Sequence, residues 1–376
     1  MRFLQLRINY SENNANFYRL FAWPLQQWLA QRYFFRWTIA RGWQHGPHYL
    51  LTFDAGSPFY CSEWNHAIVE RAADFLRAHP SAPVAEASYR VRQARLDQIE
   101  AAGIDPDVIE QNNTARSFMT DATALAARYE SVTQWRSVFD LDVMLRKPVM
   151  THWTGDSAAN SEHFAFGLMI MLACVYPPAP SGDPEIIEYN GFLSYHSNYL
   201  FWHHALAPAQ QLEITRRVEA GHAAKGATYG AWLTDLEAAL AQPGHPAAQL
   251  GQRLVDGFLT ACALAQDGLI HARSPFPPNR LAARDGVSSF HQKYFYDDAG
   301  EATAFGLEFC GYRWLLNVVY RTLPLLGISP MTRQMLNYSL NRLQQHQAQA
   351  DAIRRIRMLM LTEAAQPNTD ARKIAA

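Results

Sequence analysis

Tyr33-Phe34-Phe35-Arg36-Trp37-Thr38-Ile39-Ala40, then a turn marked by Gly42, Gly46 and Pro47, then His48-Tyr49-Leu50-Leu51-Thr52-Phe53: the fold turns on this stretch. The first segment is aromatic and β-branched, as a strand on a half-buried surface should be. The glycines and the proline punctuate it, and the second segment returns as the other arm of a hairpin. Just upstream, residues 3–9 alternate. Leu4, Leu6 and Ile8 point one way and Gln5, Arg7 and Asn9 the other, which predicts a half-buried strand. Asn13 and Asn14 can cap a helix on which Phe17, Leu20, Phe21, Leu25, Trp28 and Leu29 fall at helical spacing. Pro24 should kink or restart that helix, because it has no N–H to donate. Strand, helix and hairpin predict a small α+β module over residues 1–60.

Downstream, helix signals dominate residues 61–300. Ser62 can cap a helix carrying Ile68, Val69, Ala72, Phe75 and Leu76. Residues 84–100 read as a polar surface helix, and Asn112-Asn113 breaks the pattern. Further helices are predicted over 162–176, 185–206, 226–241 and 246–266. Loops are predicted around Pro177–Pro184, Gln242–Pro246 and the irregular stretch 274–300. Residues 301–362 form C-terminal helices: an apolar one over 302–326 that ends at Gly327, and a last one opened by Ser329-Pro330. Residues 363–376 read as a frayed tail. With no repeat and no long linker, residues 1–376 are expected to form one compact unit, a small sheet packed with a mainly helical remainder.

Composition excludes several classes. Apolar residues make up 49% and charged residues 18%, so the chain can bury a large core. The balance of 33 Lys+Arg against 34 Asp+Glu argues against nucleic acid, whose binding needs many cation–phosphate contacts. Cys61, Cys174, Cys262 and Cys310 form no CxxC pair, which fits small buried thiols in a reduced cytoplasm. The first nine residues carry no long apolar run, so no signal peptide is expected. The most apolar stretch, Phe164–Tyr176, is shorter than the roughly 18 residues a membrane span needs. GxGxxG, GxxxxGK[ST], HExxH and GxSxG are all absent. His196, His203 and His204 cluster without an acidic partner. Cavity lining or surface suits them better than a metal site.

Two stretches suggest a family. One is the segment Phe34-Phe35-Arg36-Trp37 with Gly46-Pro47-His48-Tyr49-Leu50-Leu51-Thr52-Phe53. The other is Leu326-Gly327-Ile328-Ser329-Pro330 with Met335-Leu336-Asn337-Tyr338-Ser339-Leu340-Asn341-Arg342-Leu343. Together they resemble the elimination-domain family of lantibiotic dehydratases, also called thiopeptide-type bacteriocin biosynthesis proteins. That family shows an aromatic strand ending in Arg, a strand like GPHLRLRF and a helix like HMxxNRL. The resemblance implies an elimination-domain-like fold. Family eliminases hold a departing glutamate with arginines and use a histidine. Here Tyr49, Leu50, Leu51 and Thr52 occupy the LRLR positions, and Asn337 stands where the family has His. The departures point to members that have left elimination behind, the thiopeptide pyridine synthases. These join two dehydroalanines of a precursor peptide by a formal four-plus-two cycloaddition, with loss of water and, in many systems, of the leader peptide. The resemblance implies no metal and no other cofactor. It implies a precursor-peptide partner with leader and dehydroalanine-containing core, no nucleic acid and no membrane, and it is compatible with a homodimer.

Such chemistry needs two alkenes held face to face, and a proton donor and acceptor to turn an amide into its iminol. Two segments supply candidates. In Ser194-Tyr195-His196-Ser197-Asn198-Tyr199, helical spacing puts Tyr195, Asn198 and Tyr199 on one face with His196 beside it. Tyr195 and His196 are candidate catalytic groups, and Ser197 and Tyr199 candidate binders. Core tyrosines with satisfied hydroxyls are the alternative. In Ser288–Asp298, an extended chain would project Ser288, Phe290, Gln292, Tyr294 and Tyr296 to one side and His291 to the other. Ser288 and Tyr294 are the favoured catalytic pair, with His291 and Tyr296 binding substrate. A surface hairpin is the alternative. Arg36, His48 and Arg313 are further binding candidates, against a hairpin histidine for His48 and a salt bridge for Arg313. An eliminase and a non-catalytic leader-binding subunit are the competing functions.

Overall fold

The computed structural model describes residues 2–12, 17–31, 36–54, 62–100, 108–127, 129–153, 161–183, 186–271, 288–295 and 306–364. The chain is α+β and divides into two compact units: Met1–Ser161 with Val318–Ile328, and Glu162–Asn317 with Ser329–Ala376.

The first unit is built on an antiparallel sheet of β1 (Arg2–Asn9), β2 (Trp37–Gly42), β3 (His48–Asp54) and β4 (Thr114–Asp121), in the order β2-β3-β1-β4. The β2–β3 hairpin forms as predicted, with β2 running on to Gly42; residues 33–35 of the predicted first arm lie outside the described residues. His45 and Gly46 turn it with positive φ, and Gly42 lies opposite His48. A Cβ on Gly42 would fall 2.2 Å from His48 Nε2, so only glycine lets the imidazole lie across the strand.

β1 departs from its half-buried prediction, because every residue from Phe3 to Asn9 is buried. It is a central strand, paired on both edges. Its polar face is buried because each group is answered. Gln5 bonds Thr52 and Thr120, and Asn9 bonds Glu110 and Thr114. Arg7 donates to Gln44 O and pairs with Glu110 at 3.1 Å. On the other face the rings of Phe17 and Tyr49 stack at 3.7 Å. Strand β4 was not anticipated. Its polar, half-exposed residues show no strong alternation, and only pairing with β1 makes them a strand.

The helix after β1 does restart at Pro24. A π-helical turn, Tyr18–Ala22, closes with Trp23 N donating to Tyr18 O, and α1 (Trp23–Ala30) begins there. α2 (Ser62–Ala78) buries Ile68, Ala72, Phe75 and Leu76, as read. α3 (Glu86–Glu100), the short α4 (Ala122–Leu125) and α5 (Val132–Trp153) follow. On α5, Asp142 bonds buried Arg146 one turn on and lies 4.0 Å from Arg321. One carboxylate therefore serves two guanidinia. Removing it from a buried site leaves uncompensated charge, which costs about 3–5 kcal/mol. Asp142→Ala should lower the stability of this unit by that amount in urea unfolding.

The second unit is helical, with one hairpin. α6 (Ser161–Val175) is buried on all sides from Leu168 to Val175, which fits its near-continuous apolar sequence. β5 (Ala179–Asp183) and β6 (Ile186–Tyr189) replace the predicted loop and the first turn of the predicted 185–206 helix. α7 (Gly191–His204) starts after Asn190, whose side chain accepts from Phe192 N and Leu193 N. α8 (Pro208–Leu240) is far longer than predicted, running through Gly221, Gly226 and Gly230. α9 (Pro246–Gln266) matches its prediction. α10 (Ser289–Phe295) is a helix where an extended chain was expected. α11 (Leu307–Thr322) leads into a 3₁₀ turn, Leu323–Leu326, that ends at left-handed Gly327. The single last helix is two, α12 (Pro330–Leu343) and α13 (Gln347–Ala364). The predicted tail from residue 365 on lies outside the described residues. Among the described residues no helix is long and apolar enough to cross a membrane.

Candidate functional site

Helices α7 and α10 of the second unit bring the two predicted segments together. The helical form of α10 is the decisive correction. Ser288 becomes its N-terminal cap, with its Oγ 3.4 Å from His291 N and its carbonyl accepting from Gln292 N at 2.9 Å. His291 therefore sits one turn above Ser288, on the same side rather than opposite. Its Nδ1 lies 2.7 Å from Ser288 Oγ. Its Nε2 lies 3.0 Å from Ser197 Oγ on α7. The imidazole is buried, at 5% exposure, while both serines are part-exposed.

Burial pushes the His291 pKa down to about 4, helped by the positive field of Arg313 and the neighbouring His204 and His196. The ring is neutral at physiological pH, so one nitrogen donates and the other accepts. Aromatic rings wall the group. Phe201 meets His291 at 5.8 Å, Phe290 meets Tyr294 at 4.8 Å, and His196 stands edge-on to Phe290 at 5.4 Å. Burial also lowers the His196 pKa. Tyr294 lies near Tyr189 of β6 and carries the Lys293 ammonium 5.3 Å from its ring centre. Arg313 on α11 is half-buried, and no carboxylate among the described residues pairs with it. Burial lowers its pKa.

The expected face of Tyr195, Asn198 and Tyr199 is a packing face instead. Tyr195 is fully buried and donates to Met169 O at 2.6 Å, so its hydroxyl ties α7 to α6. Asn198 accepts from Gln334 and Asn337 of α12, at 3.2 and 2.9 Å. Asn337, at the family's histidine position, is fully buried within that amide cluster. Tyr199 packs on Tyr338 at 5.4 Å, and burial raises its pKa. Tyr296 lies outside the described residues. Arg36 and His48 belong to the first unit. Arg36 pairs with Asp140. His48 Nδ1 lies 2.9 Å from Gly46 O, and burial holds its pKa near 4.

The Ser197–His291 contact was not anticipated. The Ser288-x-x-His291 spacing, a helix start, is the one local signal that could have shown half of it. Among the described residues no group of three His, Cys, Asp or Glu could hold a metal.

The fold has solved relatives. Over 94% of this chain and 99% of the other, it shares its fold with TbtD, a pyridine synthase from thiomuracin biosynthesis, at TM-score 0.64 and 16% identity. It is also similar to TsrL, at TM-score 0.52 and 15% identity over 96% of this chain and 98% of that one. No protein-family model and no curated protein sequence matches it.

Proposed function

We propose that the chain matures a ribosomally made peptide by joining two dehydroalanines in a formal four-plus-two cycloaddition. The product is a six-membered nitrogen ring, formed with loss of water and, on aromatisation, of the leader peptide. The observation that carries this assignment is the near end-to-end fold likeness to a pyridine synthase. The unit holding Ser288, His291, Ser197 and Tyr294 adds the donors such chemistry uses. Binding the two alkenes together supplies much of the rate, since effective molarities for aligned groups are large. The remainder is proton traffic. The reacting amide oxygen gains a proton as its nitrogen loses one, and the hydroxyl of the cyclised intermediate must leave as water. Serine and tyrosine hydroxyls beside a neutral imidazole serve both steps. Arg313 can donate to a peptide carbonyl. The elimination-domain-like ancestry is part of the same proposal. Against an active eliminase, Arg7, Arg36 and Arg146 each already hold a carboxylate, of Glu110, Asp140 and Asp142.

The test is incubation with a leader-bearing peptide that contains two dehydroalanines, followed by mass spectrometry. Loss of one water with ring formation is expected. Reaction only with glutamylated serine peptide would replace this function by elimination, and binding with no mass change by leader presentation. Tyr294→Phe should slow ring formation about a hundredfold with peptide affinity unchanged. A wild-type rate would remove Tyr294 from the chemistry.

A further inference from the structure

We propose that Ser288, His291 and Ser197 form a neutral proton relay, in which Ser288 delivers a proton to the reacting amide and Ser197 draws its replacement from water. This assignment rests on the cyclase function proposed above and gives His291, until now only a binding candidate, the work of moving the proton.

The geometry selects this role over simple packing. Both ring nitrogens are engaged, at 2.7 and 3.0 Å, and each partner is a hydroxyl that can donate or accept. The ring is buried while Ser288 and Ser197 are each part-exposed, so the imidazole links two hydroxyl residues that are less buried than itself. A neutral imidazole between two hydroxyls has two tautomers of similar hydrogen bonding. In one, Nδ1–H donates to Ser288 and Nε2 accepts from Ser197. In the other, both bonds reverse.

The protons balance. Ser288 gives its hydroxyl proton to the amide oxygen and takes the Nδ1 proton. Nε2 takes the Ser197 hydroxyl proton, and Ser197 takes one from water. The amide nitrogen releases its own proton to water, which leaves a neutral iminol and the other tautomer. Exchange of the serine hydroxyls with water resets the relay. No ion forms on the enzyme at any point.

The charges around the ring enforce this neutrality. Arg313 faces it from α11, His204 and His196 from α7, and Lys293 neighbours it on α10. Among the described residues, the charged groups that set its field are all basic. An imidazolium is therefore disfavoured, and the relay carries a proton without storing one. Activity should be flat with pH from neutrality down to about pH 5 and fall toward pH 4, where His291 takes a proton.

The experiment is kinetics of ring formation in H2O–D2O mixtures for the wild type, Ser197→Ala and Ser197→Thr. The wild type should give a bowed proton inventory, from several protons in flight. Ser197→Ala should lose about tenfold to a hundredfold in kcat at unchanged KM and give a straight inventory. Ser197→Thr should restore both. A Ser197→Ala enzyme with wild-type kcat and a bowed inventory overturns the relay and leaves the cyclase function standing. No ring formation by the wild type overturns that function, and the relay with it. If Ser197→Ala fails to fold, ¹⁵N NMR of His291 in the wild type decides. Shifts averaged between the tautomers support the relay, and one locked tautomer overturns it.

Discussion

Ser288→Ala is expected to slow ring formation about a thousandfold, the middle of the range for a lost acid–base group. The hydroxyl has two structural duties that must be separated. It caps α10, and losing a serine cap costs about 1 kcal/mol. It also anchors the His291 ring through Nδ1. Cap loss alone acts on a seven-residue helix and would show as weaker folding or a higher KM. Loss of the proton donor shows in kcat at saturating peptide. Ser288→Thr keeps the hydroxyl and the cap, so its kcat should stay within about tenfold of wild type. Ser288→Ala with full kcat and only reduced stability would make Ser288 a structural residue. The measurement is single-turnover ring formation beside a circular-dichroism melt of each variant.

How much of this was legible in the sequence depends on how local the cause was. The hairpin around Gly46 was plain, because turn glycines and β-branched residues act within a few positions. So was α9, with His245 and Pro246 opening it. Strand β4 was not, since its partner lies about a hundred residues away in β1. The burial of Arg7 and Asn9 was hidden for the same reason, because Glu110 and Thr114 answer them from afar. α8 was legible only over 226–241, yet it runs from Pro208, and packing along its length outweighs a glycine penalty of about 1 kcal/mol each. At the site, Ser288 and Tyr294 stood out as hydroxyl groups in a motif. Their neighbour Ser197 is 94 positions from His291, and no periodicity links them. Tyr195 misled because its chemistry is the same whether its hydroxyl meets substrate or Met169 O.

Acid should destabilise both units well before their carboxylates are protonated. His48 in the first unit and His291 in the second are buried and neutral, with pKa values near 4. Desolvation is the main cause for each, and nearby Arg7 and Arg313 add to it. In the unfolded chain both return to about 6.5. Between those values the unfolded state binds a proton that the folded state refuses, so stability falls as pH falls. The contribution is complete above about pH 6.5 and is lost progressively down to about pH 4. Each histidine costs its unit about 1.4 kcal/mol per pH unit within that window, or about 2 kcal/mol between pH 7 and 5. The lowered values of His163, His196 and His222 push the second unit the same way. Urea midpoints at pH 7 and pH 5, followed by hydrogen exchange so that each unit is seen separately, measure this. His48→Gln should flatten the pH dependence of the first unit, and His291→Gln that of the second. Equal midpoints at the two pH values in the wild type would mean that both imidazoles accept protons in the folded state. The neutral ring on which Ser288 and Ser197 depend would then be lost at pH 5.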